Sequence, residues 1–356
     1  MKRKIGFGMI GCGAISRFHM NAIKEISDAY TIGVYDPNVE AMESLAKEYN
    51  VRTFETQEEL LLCPEIDVVC VLTPSGTHSV IATAALKSGK HVVIEKPMAL
   101  TLEDADALIE LSEQTGKKVC VISQLRFAPA VQAIKNAIEM GLFGKIVSFS
   151  LSMKYFREED YYTNSGWRGT RKMDGGGAFM NQGIHGIDIL QYFAGPVQSL
   201  RSICDTFSRP IETEDHGVAI VKFKNKAVGT IEGSTTCYPG YPRRLEICGD
   251  QGSVFLEEEK IVKWNFRNRE PAEELLERYQ IPLPKNEKEE EQMTGSSNPM
   301  NISLQGHILQ LSNVVNAITK DEPLLVDARE GRKSLEIILA IYKSSEEKKE
   351  IFFQPE

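Results

Sequence analysis

The amino-terminal third of the sequence alternates apolar runs with helical patterns, and a glycine-rich turn stands at its first junction. Residues 5–10 form a short apolar run that predicts a strand, and helical spacing begins just after the turn. Gly11 permits a tight turn, Gly13 lets backbone approach a pyrophosphate, and Ser16 is a small residue where a third glycine is usual. Together they predict a dinucleotide site at the helix N-terminus. The predicted cofactor contacts in the turn are Gly11, Gly13, Ala14 and Ile15.

A carboxylate follows the second predicted strand. Asp36 comes directly after the run at residues 30–35 and about 20 residues after Gly13, which is the spacing typical of a ribose-binding carboxylate. No arginine stands beside Asp36 to hold a 2′-phosphate. The pattern therefore favours NAD over NADP.

The alternation of strands and helices continues to residue 123 and predicts a doubly wound parallel sheet, the Rossmann domain, over residues 1–123. In such sheets the cofactor lies at the carboxyl ends of the strands. His78 begins a predicted helix, so a structural or capping role is an alternative for it. The predicted cofactor contacts at two strand ends are Thr73, Pro74, His78, Glu95 and Lys96.

The pattern changes after residue 123. Several alternating runs follow with few helices between them, and they predict an α+β domain over residues 124–356 with a large, mostly antiparallel, open sheet. The segment 285–298 is charged and poor in apolar residues, so we expect a solvated loop there. Helical spacing returns at residues 304–319 and 328–347.

A triple-glycine turn at residues 175–177 leads into a helical pattern that places Asn181, His185 and Asp188 on one face. A helical histidine alone is more often a core residue, and a lysine at a strand end is more often a surface charge. Following a cofactor-binding turn, they instead indicate an active site, with His185 as general base and Lys96 as the stabilising cation, although these roles could be exchanged. Asp188 is more typical of a structural hydrogen-bond acceptor.

Composition excludes several classes of protein. The chain has 356 residues and a formal net charge of −9 without a basic stripe, which argues against nucleic-acid binding. Its seven cysteines are odd in number and lack CxxC spacing, so we expect free thiols, no disulfides and no metal site. The sequence contains no apolar run of about 20 residues and no export signal, so no membrane association and a cytoplasmic location are expected.

These motifs, in this order and spacing, resemble the glucose–fructose oxidoreductase / inositol dehydrogenase (Gfo/Idh/MocA) family over essentially the whole chain. The resemblance implies an N-terminal Rossmann domain and a C-terminal α/β domain whose open sheet usually forms the oligomer interface. It therefore also implies a homodimer or homotetramer. The motifs that carry it are Gly11-x-Gly13, Asp36, Thr73-Pro74-Ser75-Gly76-x-His78, Glu95-Lys96-Pro97, Arg126-Phe127, and Asp174-Gly175-Gly176-Gly177 through His185 and Asp188.

The resemblance also implies roles for individual residues. Lys96 and His185 take the catalytic positions, and Asn181 stands where inositol dehydrogenase-like members carry Asp. The Asn-Gln-x-x-His form is similar to branches that include nucleotide-sugar uronate dehydrogenases. An alternative for Arg168 is a structural ion pair. The residues expected to contact substrate are Arg126, Trp167, Arg168, Asn181 and His185, and those expected to be catalytic are Lys96, His185 and Asn181.

We therefore expect an oxidoreductase that transfers hydride between a secondary alcohol of a sugar, polyol or nucleotide-sugar and NAD. Two alternatives remain open at this point. One is a glycoside hydrolase or lyase that retains NAD and oxidises its substrate transiently. The other is a non-catalytic protein that senses NAD or sugar on the same scaffold, because fold alone does not determine function.

Overall fold

A computed structural model describes residues 3–284 and 303–354. The chain divides into two compact units. The first comprises the residues up to Gln124 together with Ser303–Leu335, and the second comprises the other described residues. The solvated loop predicted at residues 285–298 lies outside the described residues.

Fourteen strands and eleven α-helices are present in the described residues. None of these helices is both long and apolar enough to cross a membrane. The strands are β1 Ile5–Ile10, β2 Ala29–Tyr35, β3 Arg52–Thr53, β4 Val68–Val71, β5 His91–Ile94, β6 Val119–Val121, β7 Ile146–Lys154, β8 Val197–Asp205, β9 His216–Phe223, β10 Val228–Ser234, β11 Arg244–Gly249, β12 Gly252–Glu257, β13 Lys260–Phe266 and β14 Ile351–Phe352. The helices are α1 Ala14–Lys24, α2 Val39–Tyr49, α3 Gln57–Leu62, α4 His78–Lys87, α5 Leu102–Thr115, α6 Pro129–Glu139, α7 Asp160–Thr163, α8 Ile184–Ala194, α9 Arg269–Arg278, α10 Leu304–Thr319 and α11 Ala328–Glu347.

The first unit contains a six-stranded sheet in the order β3-β2-β1-β4-β5-β6. Every neighbouring pair in it is parallel. The strand order reverses between β1 and β4, and in sheets of this kind ligands bind at such a point, outside the carboxyl ends of the strands. The predicted doubly wound parallel sheet is confirmed.

The first unit is completed by a segment from near the carboxyl end of the chain. Leu311, Val314 and Val315 of α10 belong to the same buried apolar cluster as Met20 and Ile23 of α1. Burial of these side chains against the sheet unit explains why α10 returns to it. The first unit therefore has two segments, one ending at Gln124 and one at Ser303–Leu335, whereas the sequence analysis divided the chain into residues 1–123 and 124–356.

The second unit contains an eight-stranded sheet in the order β13-β12-β11-β7-β10-β9-β8-β14. Only the β7–β10 pair is parallel among its described strands, so the predicted mostly antiparallel sheet is confirmed. Strand β13 and helix α9 were not predicted. Helix α9 has a helical spacing of buried apolar side chains, Ala272, Leu275 and Leu276, within a strongly charged sequence that obscures the pattern.

The cysteines are free thiols, as predicted. Cys70 lies in the central strand β4 and Cys120 in the edge strand β6, and both are almost completely buried. Burial raises the pKa of the Cys120 thiol to about 12, so the thiol stays protonated and unreactive near neutral pH.

Candidate functional site

The glycine-rich turn after β1 needs its two glycines for different reasons. Gly11 has a φ of +106°, and a Cβ at this position would lie 2.6 Å from the carbonyl oxygen of Leu72. Gly13 precedes α1, and a Cβ there would meet nothing within 4 Å. The fold itself therefore requires Gly11, whereas Gly13 leaves open space at the start of a helix. No side chain caps this helix start, so its amide N–H groups are available to an anion.

Asp36 lies at the end of β2 and supports the glycine-rich turn. One carboxylate oxygen accepts a hydrogen bond from the Cys12 N–H at 2.7 Å, and the other accepts one from the Asn38 N–H at 2.8 Å. The side chain is only partly buried. The Asp36 carboxylate is thus held beside the turn, and its accessible part can bind a ligand group such as a ribose hydroxyl.

The loops after β4 and β5 are joined by His78. Its Nδ1 lies 2.7 Å from the carbonyl oxygen of Pro97, and its Nε2 lies 2.8 Å from that of Thr73. Burial lowers the pKa of this imidazole, and the side chain is almost completely inaccessible. These contacts give His78 the structural role that was the alternative in the sequence analysis, and they remove it from the cofactor contacts we propose.

Lys96 is the most accessible residue of a buried segment. From Val92 to Ala99 every residue except Lys96 is buried. Glu95 turns inward, where its carboxylate lies 2.8 Å from His19 Nε2 and accepts a hydrogen bond from the Lys96 N–H at 3.3 Å. The strand end therefore presents Lys96 outward and holds Glu95 inside the unit.

In the second unit, Glu214 holds the triple-glycine turn. Its carboxylate accepts hydrogen bonds from the N–H groups of Gly177 and Phe179, at 3.0 and 2.8 Å, and from the Tyr342 hydroxyl at 2.9 Å. Burial outweighs these bonds and raises the pKa of Glu214. A Cβ on Gly177 would lie 2.0 Å from the Glu214 carbonyl oxygen, so the turn needs glycine there. Sequence reasoning missed Glu214, which stands in a loop before β9.

The helical segment after this turn exposes only a few side chains. Residues 178–183 form one π-helical turn, and α8 follows it directly. Between residues 176 and 191 every residue is buried except Asn181, Gln182 and His185, which are partly exposed. The segment thus presents an amide pair and an imidazole together, and π-helical turns are frequent at functional sites.

A carboxylate does accompany Asn181, supplied by a neighbouring residue. The Asn181 Nδ2 donates to Asp174 Oδ1, and Asp174 Oδ2 accepts from the Gly169 N–H at 2.8 Å. The Asn181 Oδ1 accepts from Gln182 Nε2 at 2.8 Å. Asp174 is itself almost fully buried. Its place before the triple glycine was a visible signal, but no local pattern indicated that it would bind the Asn181 amide.

Arg126 and Asp188 form a buried ion pair. Arg126 Nε and Nη2 donate to the two Asp188 oxygens at 2.8 and 2.7 Å, and the guanidinium stacks 4.7 Å from the centre of the Tyr192 ring. Arg126 is completely buried and the Asp188 side chain is 2% exposed. A side chain without accessible surface cannot contact substrate unless the unit rearranges, so this burial removes Arg126 from the substrate contacts we propose. Asp188 has its expected role as a structural acceptor.

Arginine and aromatic side chains adjoin the exposed amide pair. Gln182 donates to the Tyr161 hydroxyl at 2.7 Å and accepts from Arg157 Nε at 3.0 Å. The Arg168 guanidinium carbon lies 4.2 Å from the centre of the Tyr161 ring and 5.6 Å from that of Trp167. Arg168 Nε is buried and has no hydrogen-bond partner among the described residues. A buried guanidinium N–H needs an acceptor, and a bound anion would supply one.

The different requirements at the two glycines give a paired prediction. Gly11→Ala should destabilise the fold by about 2–4 kcal/mol, because its Cβ meets backbone in a left-handed conformation. Gly13→Ala should leave stability within about 0.5 kcal/mol and weaken NAD binding about 10- to 100-fold, because its Cβ occupies the space that a pyrophosphate would approach. Urea unfolding and calorimetry measure the two effects. Equal loss of stability in both variants would contradict this division of roles.

Known proteins match the chain along nearly all its length. Residues 5–123 match the family model described as an oxidoreductase family NAD-binding Rossmann fold, and residues 135–352 match the C-terminal alpha/beta domain of the same family. The WlbA dehydrogenase from Bordetella pertussis, solved in complex with NADH and UDP-GlcNAcA, is 31% identical with a TM-score of 0.88, over 100% of this chain and 99% of that one. Myo-inositol 2-dehydrogenase from Thermotoga maritima is 25% identical over 97% of both chains. The NAD(+)-dependent scyllo-inositol 2-dehydrogenase from Bacillus subtilis is 28% identical over 72% of this chain and 75% of that protein.

Proposed function

This chain belongs to the Gfo/Idh/MocA family of oxidoreductases, and we propose that it oxidises a secondary hydroxyl of a nucleotide-linked sugar that carries a carboxylate, with NAD as the hydride acceptor. Membership confirms the predicted family, the NAD-binding Rossmann domain and the oxidoreductase class. The proposal for the substrate rests on Arg168, whose buried Nε lacks a partner among the described residues beside the exposed amide pair.

The residues of the first unit fit a dinucleotide. The open space at Gly13 and the uncapped start of α1 suit a pyrophosphate, and the Asp36 carboxylate suits a ribose hydroxyl. We propose Gly11, Gly13, Ala14 and Ile15 with Asp36 as cofactor contacts, together with Thr73, Pro74 and Lys96 at the strand ends. A bound nicotinamide supplies the hydride-accepting carbon.

We propose that His185 removes the proton of the substrate hydroxyl and that Lys96 stabilises the negative charge developing on its oxygen. Both side chains stand out as accessible within otherwise buried segments, as an acid–base group and its partner must. Asn181 acts by orientation, because its amide carries no charge and is fixed by Asp174. Proton transfer and hydride loss from the same alcohol then leave a carbonyl.

A carboxylate on the substrate would complete the arginine cluster. Arg168 and Arg157 both pack around Tyr161, which reaches Asn181 through Gln182. Arginine binds carboxylates through charge-assisted hydrogen bonds, which are roughly twice as strong as neutral ones. An acidic sugar suits this surface better than a neutral polyol does. The 31% identical WlbA dehydrogenase, solved with UDP-GlcNAcA, supports the same class of substrate.

The test compares three compounds as substrates: UDP-GlcNAcA, its counterpart without the sugar carboxylate, UDP-GlcNAc, and myo-inositol. NADH formation should be fastest with UDP-GlcNAcA. Arg168→Leu should lower kcat/KM for this compound about 10- to 100-fold, because one charged hydrogen-bonding partner is lost. Arg171→Leu is the matched control, since Arg171 lies three residues away on the surface and is bound to Glu212. The kcat/KM of the Arg171→Leu variant for UDP-GlcNAcA should not change.

Each alternative predicts a different outcome of the same experiment. Stoichiometric NADH accumulation would exclude a hydrolase or lyase that regenerates its NAD. Binding of NAD without turnover of any of the three compounds would favour a sensor. A preference for myo-inositol, with Arg168→Leu unaffected, would contradict the carboxylate proposal and leave the dehydrogenase class intact.

We also propose that the chain is a cytoplasmic homo-oligomer that associates through the second sheet. Ile203 of β8 lies opposite Val218 of β9, Ile220 follows two residues along β9, and Val228 of β10 lies opposite Lys222 of β9. The four apolar side chains are 40–75% exposed. Contiguous exposed apolar side chains are typical of an interface.

Light scattering should therefore report a dimer or tetramer. Ile220→Glu should weaken association at least about 10-fold, whereas Val80→Glu on α4 should not, and a monomeric wild-type protein at micromolar concentration would overturn the proposal.

A further inference from the structure

Two histidines and a glutamate meet inside the first unit. His19 lies on α1, Glu95 follows β5 and His307 lies on α10, and all three are buried. One nitrogen of each ring and one Glu95 oxygen lie within 4.8 Å of one another. The three ligand groups come from distant parts of the chain, so they form no motif of short spacing. The sequence analysis predicted no metal site.

The polar atoms of this cluster are incompletely paired. His19 Nε2 lies 2.8 Å from Glu95 Oε1, but His19 Nδ1 has no hydrogen-bond partner among the described residues. The same holds for both ring nitrogens of His307, whose side chain is 1% exposed. A buried polar atom without a partner is costly, by about 1–3 kcal/mol. His19 faces Glu95 with Nε2, and His307 brings one unpartnered nitrogen near the same carboxylate, so the cluster has room for a bound species that accepts a lone pair from each ring.

We propose that His19, Glu95 and His307 bind a divalent transition-metal ion, with Zn²⁺ as the best match. Two imidazoles and one carboxylate form a ligand set that Zn²⁺ takes with three protein ligands and one open position. The Glu95 carboxylate would offset one of the two positive charges of such an ion. This site is distinct from the proposed substrate contacts.

The distances in the cluster are near those of a metal site, because the three ligand atoms already lie within 4.8 Å of one another. Tetrahedral Zn²⁺ ligands lie about 3.4 Å apart. The His19–Glu95 pair at 2.8 Å would have to open by roughly 0.5 Å and the His307 ring to approach.

A buried water is the competing occupant. A water needs two to four polar partners, and the same three side chains could provide them. The two occupants differ in stoichiometric metal binding and in the d–d spectrum of a bound Co²⁺, which a water cannot mimic. Both readouts are independent of catalytic activity and of the proposed substrate.

The experiment uses full-length protein without a polyhistidine tag, stripped with a chelator and dialysed against Zn²⁺ or Co²⁺. Wild-type protein should retain about one ion per chain, and Co²⁺ should give the visible absorption of a tetrahedral site. His307→Asn and Glu95→Gln should lower retention below about 0.1 ion per chain. His216→Gln in the second unit removes a histidine outside the cluster and should retain the ion.

Wild-type protein that remains folded by circular dichroism but retains no ion would overturn the proposal and indicate the water. Retention that is equal in wild type, His307→Asn and Glu95→Gln would overturn it too, since the ion would then be bound elsewhere. The wild-type measurement decides the matter even if one of the variants fails to fold.

Discussion

His185→Ala should lower kcat about 10²- to 10⁴-fold while leaving the affinity for NAD nearly unchanged. The expected loss is large because the imidazole is the one titratable side chain that the π-helical turn and α8 leave accessible between residues 176 and 191. Lys96→Ala should cause comparable damage, because we propose that this cation stabilises the developing alkoxide. Asn181→Ala should cost less, because the role we propose for its amide is orientation alone. Steady-state kinetics and NAD calorimetry together measure these effects.

His216→Ala and Lys87→Ala are the matched controls, since each removes the same type of side chain from a position outside the proposed site. The pH dependence of kcat/KM separates the two catalytic assignments. If His185 is the base, the acidic limb of the profile disappears in His185→Ala, whereas it persists if Lys96 is the base. A His185→Ala variant with full turnover would refute the assignment of His185.

The second large effect concerns stability. Asp188→Ala should lower the free energy of unfolding by about 3–5 kcal/mol, because it removes the carboxylate that compensates the charge of the buried Arg126 guanidinium. Arg126→Ala should lower the free energy of unfolding by a similar amount, because it leaves the Asp188 carboxylate buried without its cation. Urea denaturation followed by circular dichroism gives both values.

A variant in which both charges are replaced tests whether the pair acts as a unit. Replacing both residues with apolar side chains of similar volume, Arg126→Met with Asp188→Leu, should recover much of the loss, since no charge is then left buried alone. Single variants that cost less than about 1 kcal/mol would contradict the buried-pair interpretation. A stable Arg126 variant that loses activity selectively would restore Arg126 to the substrate contacts.

Features that follow local rules were accessible from the sequence. The apolar run at residues 91–94 is strand β5, and the helical spacing at residues 304–319 is α10. Helix α5 also begins at a local signal, a threonine three residues before an acidic residue: Thr101 Oγ1 accepts from the Asp104 N–H at 3.1 Å. In each case the signal lies within a few residues of the structure that it specifies.

Features that depend on distant partners were not accessible. Nothing near Glu214 indicates that it binds the Gly177 turn, and nothing near Asp174 indicates that it fixes Asn181. The apolar spacing of α10 predicted a helix but not its partner, so its return to the first unit was missed. The spacing of apolar residues shows which face of a helix or strand is apolar. Which part of the protein packs against that face depends on the topology of the whole chain.

The return of α10 to the first sheet affects how the protein is made. Met20 and Ile23 of α1 are buried in a cluster that α10 helps to form, yet 178 residues, Leu125 to Ile302, are synthesised in between. At about 5–20 residues per second, a ribosome takes roughly 10–40 s to add them. During that interval the nascent dinucleotide-binding unit exposes apolar surface to chaperones and to other nascent chains. The domain that begins first is therefore among the last parts of the chain to be completed.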